Sequence, residues 1–88
     1  MTPPVPLLRP EPPYTEKARQ ARFQGITVLS IVIGPDGTVR SAGVAKPLGL
    51  GLDESALKTV RTWTFKPAAL NGKPVPVHIL VEVTFRLN

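Results

Sequence analysis

Val75-Pro76-Val77-His78-Ile79-Leu80-Val81-Glu82-Val83-Thr84-Phe85-Arg86-Leu87 closes the chain, and its reading decides the fold. Val75, Val77, Ile79, Val81, Val83, Phe85 and Leu87 occupy every second position, with Pro76, His78, Leu80, Glu82, Thr84 and Arg86 between them. Side chains of a strand turn to opposite faces in succession, so this alternation predicts one long, half-buried strand over 75–87. A strand that hides one face needs partner strands beside it and a layer above it. The rest of the chain must supply both.

Working back from it, Asn71-Gly72 is a turn signal and Pro67 ends whatever helix precedes it. Glu54 to Trp63 reads as a helix capped by Asp53, with Leu52 placed to staple onto Leu57. Its buried stripe is Ala56, Leu57, Val60 and Trp63, while Lys58 and Arg61 face away. Lys46 to Gly51 reads as a plain loop, since Gly49-Leu50-Gly51 lacks the glycines and the strand-to-helix setting of a phosphate cradle. Ile26 to Ile33 is β-branched and apolar on both faces, with Thr27, Leu29, Ile31 and Ile33 on one and Ile26, Val28, Ser30 and Val32 on the other. That is the pattern of a central strand. Gly34-Pro35-Asp36-Gly37 turns it into a second arm, Thr38 to Ala45, where the mismatched parity of Val39, Ala42 and Val44 predicts a bulge near Arg40-Ser41. Thr15 to Phe23 reads as a first helix, capped by Thr15 and stopped before Gly25, with Tyr14, Ala18 and Ala21 as its apolar stripe.

The order helix, strand, strand, helix, strand predicts an α+β fold: a three-stranded antiparallel sheet with two helices on one face (α-β-β-α-β). The last strand lies beside the first and forms one edge. The second arm of the hairpin forms the other.

The chain has 88 residues, enough for one small domain. It has no cysteine and a single histidine, His78, which excludes disulfides, thiolate chemistry and a multi-histidine metal site. No metal or cofactor is expected. No apolar run is long enough to span a bilayer, and the start has no signal-peptide pattern. Proline is 11 of 88, and six of these stand at 3, 4, 6, 10, 12 and 13. Residues 1–13 therefore read as the proline-rich end of a linker in extended polyproline II structure, leading in from a longer parent protein, and 14–88 as the domain.

The net charge of +5 raises the possibility of a nucleic-acid partner. The basic residues are dispersed, however, and Trp63, Phe65 and Phe85 are better explained as core, so no nucleic acid is expected. Catalysis is not expected either. His78 and Glu82 share a strand face but stand about 13 Å apart, and Asp53-Glu54 reads as capping. No catalytic residue is assigned.

What remains distinctive is the last strand's free edge. It is blunted at its start by Pro74 and Pro76, yet every residue from Val77 to Leu87 can donate. The uncovered sheet face would also carry Ile26, Val28, Val32 and Leu80. Either a partner strand adds to this edge, or a second copy pairs with it, or it is an ordinary edge shielded by the proline-rich tail or by residues 66–74.

The sequence resembles the TonB C-terminal domain family over residues 10–87. The resemblance is carried by Pro13-Tyr14 with Ala18-Arg19, by Gly25, by Pro35-Asp36-Gly37-x-Val39 and by Leu52-Asp53-x-x-Ala56-Leu57. It continues through Val60-Arg61-x-Trp63-x-Phe65-x-Pro67-Ala68 and Asn71-Gly72-x-Pro74-Val75 to Val83-x-Phe85-x-Leu87. Tyr14 is followed by Thr15 where the family usually has proline, and both are acceptable at a helix start. The resemblance implies a periplasmic module, tethered to the inner membrane in the full-length protein, of an energy transducer. It implies docking of an extended TonB-box peptide from an outer-membrane transporter beside the last strand, and inner-membrane proton-channel proteins as partners of the missing N-terminal part. The docking strand is then expected at His78, Ile79, Leu80, Val81, Glu82, Val83 and Thr84. Domains of this family also occur fused to other membrane proteins, including sensor-like peptidases. An oligomerisation or sensing role, with homodimer formation through the same edge, is the alternative.

Overall fold

The computed structural model describes residues 1–87. Seven strands and two helices follow in the order β1 (Val5–Leu8), α1 (Glu16–Gln20), β2 (Gly25–Ile33), β3 (Val39–Lys46), α2 (Leu52–Val60), β4 (Thr64–Lys66), β5 (Ala68–Leu70), β6 (Lys73–Val75) and β7 (Val77–Phe85). The main sheet is antiparallel in the order β3-β2-β7, so the last strand does lie beside the first arm of the hairpin. Both helices pack on its apolar face. The fold is the α+β arrangement expected, with two small two-stranded sheets added: β1 with β4, and β5 with β6.

The core follows from the alternation. Thr27, Leu29, Ile31 and Ile33 of β2 are fully buried. They meet Val83 and Phe85 of β7, Ala18 of α1, and Leu52, Ala56 and Val60 of α2. Trp63 and Phe65 complete the cluster. Tyr14 packs edge-on against Phe85 at 5.5 Å and donates its hydroxyl to the Phe23 carbonyl at 2.8 Å, which fixes the short first helix to the end of β7.

Several local expectations need correction. The first helix is only Glu16–Gln20, although Thr15 caps it as expected, accepting from the Ala18 N–H at 3.1 Å. The second helix starts at Leu52, and its N-cap is Gly51 in the left-handed region (φ 78°), not Asp53. Asp53 instead lies in the first turn and reaches back, accepting from the Leu48 N–H at 2.8 Å and the Gly49 N–H at 2.9 Å. It therefore takes up the loop amides that an anion would need. Burial pushes the Asp53 pKa up, but the Thr27 hydroxyl and the two amides together outweigh burial, and the net shift is downward. Leu52, expected as a staple outside the helix, is inside it and fully buried.

The long final strand is interrupted at Pro76. Val75 belongs to β6, which folds back on β5 about Asn71 (φ 52°) and Gly72 (φ 79°). A proline has no N–H for the ladder, so the break falls where the alternation alone could not show it. The hairpin bulge is present at the expected place: Val32 pairs with Ser41 and Ile33 with Val39, leaving Arg40 extra. A second irregularity separates Val28↔Lys46 from Leu29↔Val44.

Candidate functional site

The proline-rich stretch does not simply hang free. Val5–Leu8 pairs with β4 (Val5↔Lys66, Pro6↔Phe65, Leu8↔Thr64), and Thr2 exchanges backbone hydrogen bonds with Ala69. β4 is itself hooked to the hairpin turn. The Phe65 N–H donates to the Gly37 carbonyl at 2.9 Å, and a Cβ on Gly37 would stand 2.0 Å from the Phe65 oxygen. Gly37 is at φ 84°, so glycine is required there both for the conformation and for the approach.

The candidate site is the outer edge of β7. Along its inner edge β7 pairs with β2 without a break, from Val77↔Ile33 to Phe85↔Gly25. Along the outer edge, among the described residues, no strand is paired. In an antiparallel strand alternate residues turn their N–H and C=O outward, so this edge offers a row of donors and acceptors. Of the seven residues expected to dock a partner, His78, Leu80, Glu82 and Thr84 are exposed on the open face. Ile79 and Val81 are half-buried on the helix side, and Val83 is buried. The structure places all of them on one strand with one free edge. Leu80 is 63% exposed, and Ile26, on the same open face, is 45% exposed.

His78 does have a neighbour that spacing along the chain could not reveal. Its Nε2 lies in hydrogen-bond contact with the Ser30 hydroxyl of the adjacent strand. Ser30 and His78 lie diagonally across the β2–β7 register, since Ser30 pairs with Leu80 and Val32 with His78. Among the described residues no carboxylate hydrogen-bonds this ring, so the pair lacks the third group that orients a catalytic histidine.

What the sequence did not show is the wall beside the edge. After β1, the chain runs Arg9-Pro10-Glu11-Pro12-Pro13 towards α1. The buried Trp63 donates its indole Nε1–H to the Pro10 carbonyl at 3.0 Å, and the Arg9 guanidinium sits over the same ring at 5.9 Å. Ser55 donates its hydroxyl to the Pro13 carbonyl at 2.5 Å. Spaces of about 230 and 300 Å³ separate this segment from Glu82–Arg86 of the β7 end. One signal was available: a buried tryptophan needs an acceptor for its N–H.

Against known proteins, the family model described as the Gram-negative bacterial TonB protein C-terminal matches residues 10–87. The chain belongs to the TonB C-terminal family. Protein TonB of Xanthomonas campestris pv. campestris is 31% identical over 78 residues, covering 88% of this chain and 35% of that protein. Protein TonB of Vibrio cholerae is 30% identical, covering 88% and 32%, and Protein tonB2 of Pseudomonas aeruginosa is 30% identical, covering 93% and 31%. The chain thus spans about a third of the length of these relatives. The solution structure of the Pseudomonas aeruginosa TonB C-terminal domain superposes with a TM-score of 0.75 at 20% identity, over 96% of this chain and 86% of that one. That likeness shows the shared fold. The TonB family match begins at Pro10, the residue whose carbonyl receives the Trp63 indole, and ends past the β7 edge.

Proposed function

We propose that this TonB C-terminal domain is the periplasmic, receiving end of an energy transducer tethered to the inner membrane. It docks an extended TonB-box segment of an outer-membrane transporter by strand addition along β7. Through the rest of the longer protein, engaged with inner-membrane proton-channel proteins, it passes on force derived from the proton gradient. The observation that carries this reading is the free outer edge of a nine-residue strand whose other edge is fully paired. Main-chain hydrogen bonds give such an edge grip with little dependence on partner sequence, and the side chains of His78 to Thr84 add selectivity. Catalysis has no part in the reading, and neither does nucleic acid.

A second reading keeps the same edge and changes the occupant. Leu80 and Ile26 expose apolar surface beside it, which suits pairing of β7 with β7 of a second copy. Light scattering after size exclusion separates the two: the transducer reading expects a monomer that takes up peptide, the dimer reading a tight dimer that ignores it.

The direct test is titration of the isotopically labelled chain with a TonB-box-type peptide, followed by amide chemical shifts. Perturbations concentrated on residues 77–85 support the reading. Perturbations elsewhere with none on that strand reject it.

A further inference from the structure

We propose that residues 5–13 form a removable guard over the β7 edge, closed in the free domain and displaced when a partner strand adds along the full length of β7. The proposal rests on the docking reading above and concerns how that same site is regulated.

Three observations carry it. First, the guard lies where a partner must go. Glu11 and Pro12 share one space with Thr84, Phe85 and Arg86, and Arg9 to Pro12 share another with Glu82, Val83 and Thr84. Residues of both parities of β7 line these spaces. Since β2 occupies the inner edge, the guard runs along the outer one.

Second, the guard covers the edge without bonding to it. Pro10, Pro12 and Pro13 have no N–H, and among the described residues no backbone hydrogen bond joins residues 9–13 to β7. An edge left bare recruits other chains, whereas an edge paired to its own tail would be closed to a partner. A proline-rich neighbour that cannot zip on avoids both outcomes.

Third, the guard is held loosely. All four side chains of β1 are exposed, with Leu7 at 68% and Leu8 at 59%, so none of them anchors the strand in the core. It pairs with a three-residue strand only, and two-stranded pairs of this kind are marginal in water. The remaining attachments are single contacts: Trp63 to Pro10, Arg9 over Trp63, and Ser55 to Pro13. None of them is shared with the β2–β7 ladder, so the guard can open while the core stays folded. A load arriving from the N-terminal side meets these attachments in order, beginning with Thr2 and β1. The two spaces reach only Glu82–Arg86 of β7, so a partner can start at His78–Val81 and displace the guard from one end.

The test uses two variants of the full chain. Trp63→Phe keeps an aromatic ring in the core and removes the donor to Pro10. Val5→Pro with Leu8→Pro removes β1 donors on an exposed strand. Each is titrated with the same TonB-box-type peptide used for the docking test; the amide chemical shifts of Arg9 and Glu11 report the position of the guard, and amide hydrogen exchange is followed along β2. We expect the Arg9 and Glu11 shifts to move towards those of an unfolded segment with β2 exchange unchanged, and peptide affinity raised by up to about fivefold, the factor released when one ordinary hydrogen bond no longer favours the closed state. Shifted guard amides with peptide affinity equal to that of the unaltered chain overturn the guard and leave the docking reading standing. Absence of binding by all three proteins overturns the docking reading, and the guard with it.

Discussion

Asp53→Asn isolates one buried charge from everything else in the domain. Asp53 is 8% exposed, and its two oxygens accept separately from the Leu48 and Gly49 amides at 2.8 and 2.9 Å. An asparagine keeps one acceptor and turns an NH2 towards the other amide, leaving a buried N–H without a partner. Hydrogen bonds to a charged group contribute about 1.5–3 kcal/mol each, and an orphaned buried donor costs about 1–3 kcal/mol. The variant should therefore lose about 2–4 kcal/mol at neutral pH. With a urea slope near 1 kcal/mol/M, as small domains show, that is a drop of roughly 2–4 M in midpoint. The pH dependence adds a second check. The carboxyl pKa is lowered in the folded protein from its ordinary value of 3.8, so its contribution is complete above 3.8 and fades as pH falls through the lower folded value. Asparagine does not titrate there. The gap between parent and variant should be widest at neutral pH and should narrow below 3.8. Urea unfolding followed by Trp63 fluorescence from pH 7 down to pH 2 measures it. A gap under about 0.5 kcal/mol, or one that does not change across that range, would refute the assignment.

Gly37→Ala should cost about 2–3 kcal/mol or more, since the left-handed conformation is unfavourable for alanine and the Phe65 N–H bond to Gly37 is lost; an unchanged denaturation midpoint would contradict the fit seen at the turn. Trp63→Ala should cost about 3–5 kcal/mol, because the ring is 6% exposed and joins the core to Pro10, and in so small a domain circular dichroism is expected to show partial unfolding at room temperature. Val81→Pro should weaken peptide binding far more than Glu82→Ala, because proline removes a ladder donor whereas Glu82 offers only a side chain; circular dichroism must first show the proline variant folded, and equal losses would count against main-chain recognition.

The sheet was legible because period-two patterns are long and apolar in β2 and β7. Leu29, Ile31 and Ile33 could face only a covered layer, and Val83 and Phe85 only the same layer. The Arg40 bulge showed in the parity of Val39 and Ala42. The start of α2 was misread because Asp is a strong cap by type. Gly51 took the cap in the left-handed region, and Asp53 was drawn to two loop amides by contacts that spacing does not encode. Pro76 broke the strand through a missing donor, against an unbroken alternation of side chains. The proposed docking edge was legible as a strand. The segment beside it was not, because β1 has no amphipathic pattern: its side chains are all exposed, and it is held by backbone bonds to β4, 56 or more residues away in sequence (Leu8↔Thr64). Composition alone favoured a free spacer.

The central claim is that β7 receives a partner through its main chain. A scan in which each amide of a TonB-box-type peptide is N-methylated in turn tests it most directly. Strand addition expects binding to fall sharply at every second peptide position across the segment that meets His78 to Thr84, with the intervening positions little affected. Losses that follow side-chain replacement, with no period of two on methylation, would contradict it.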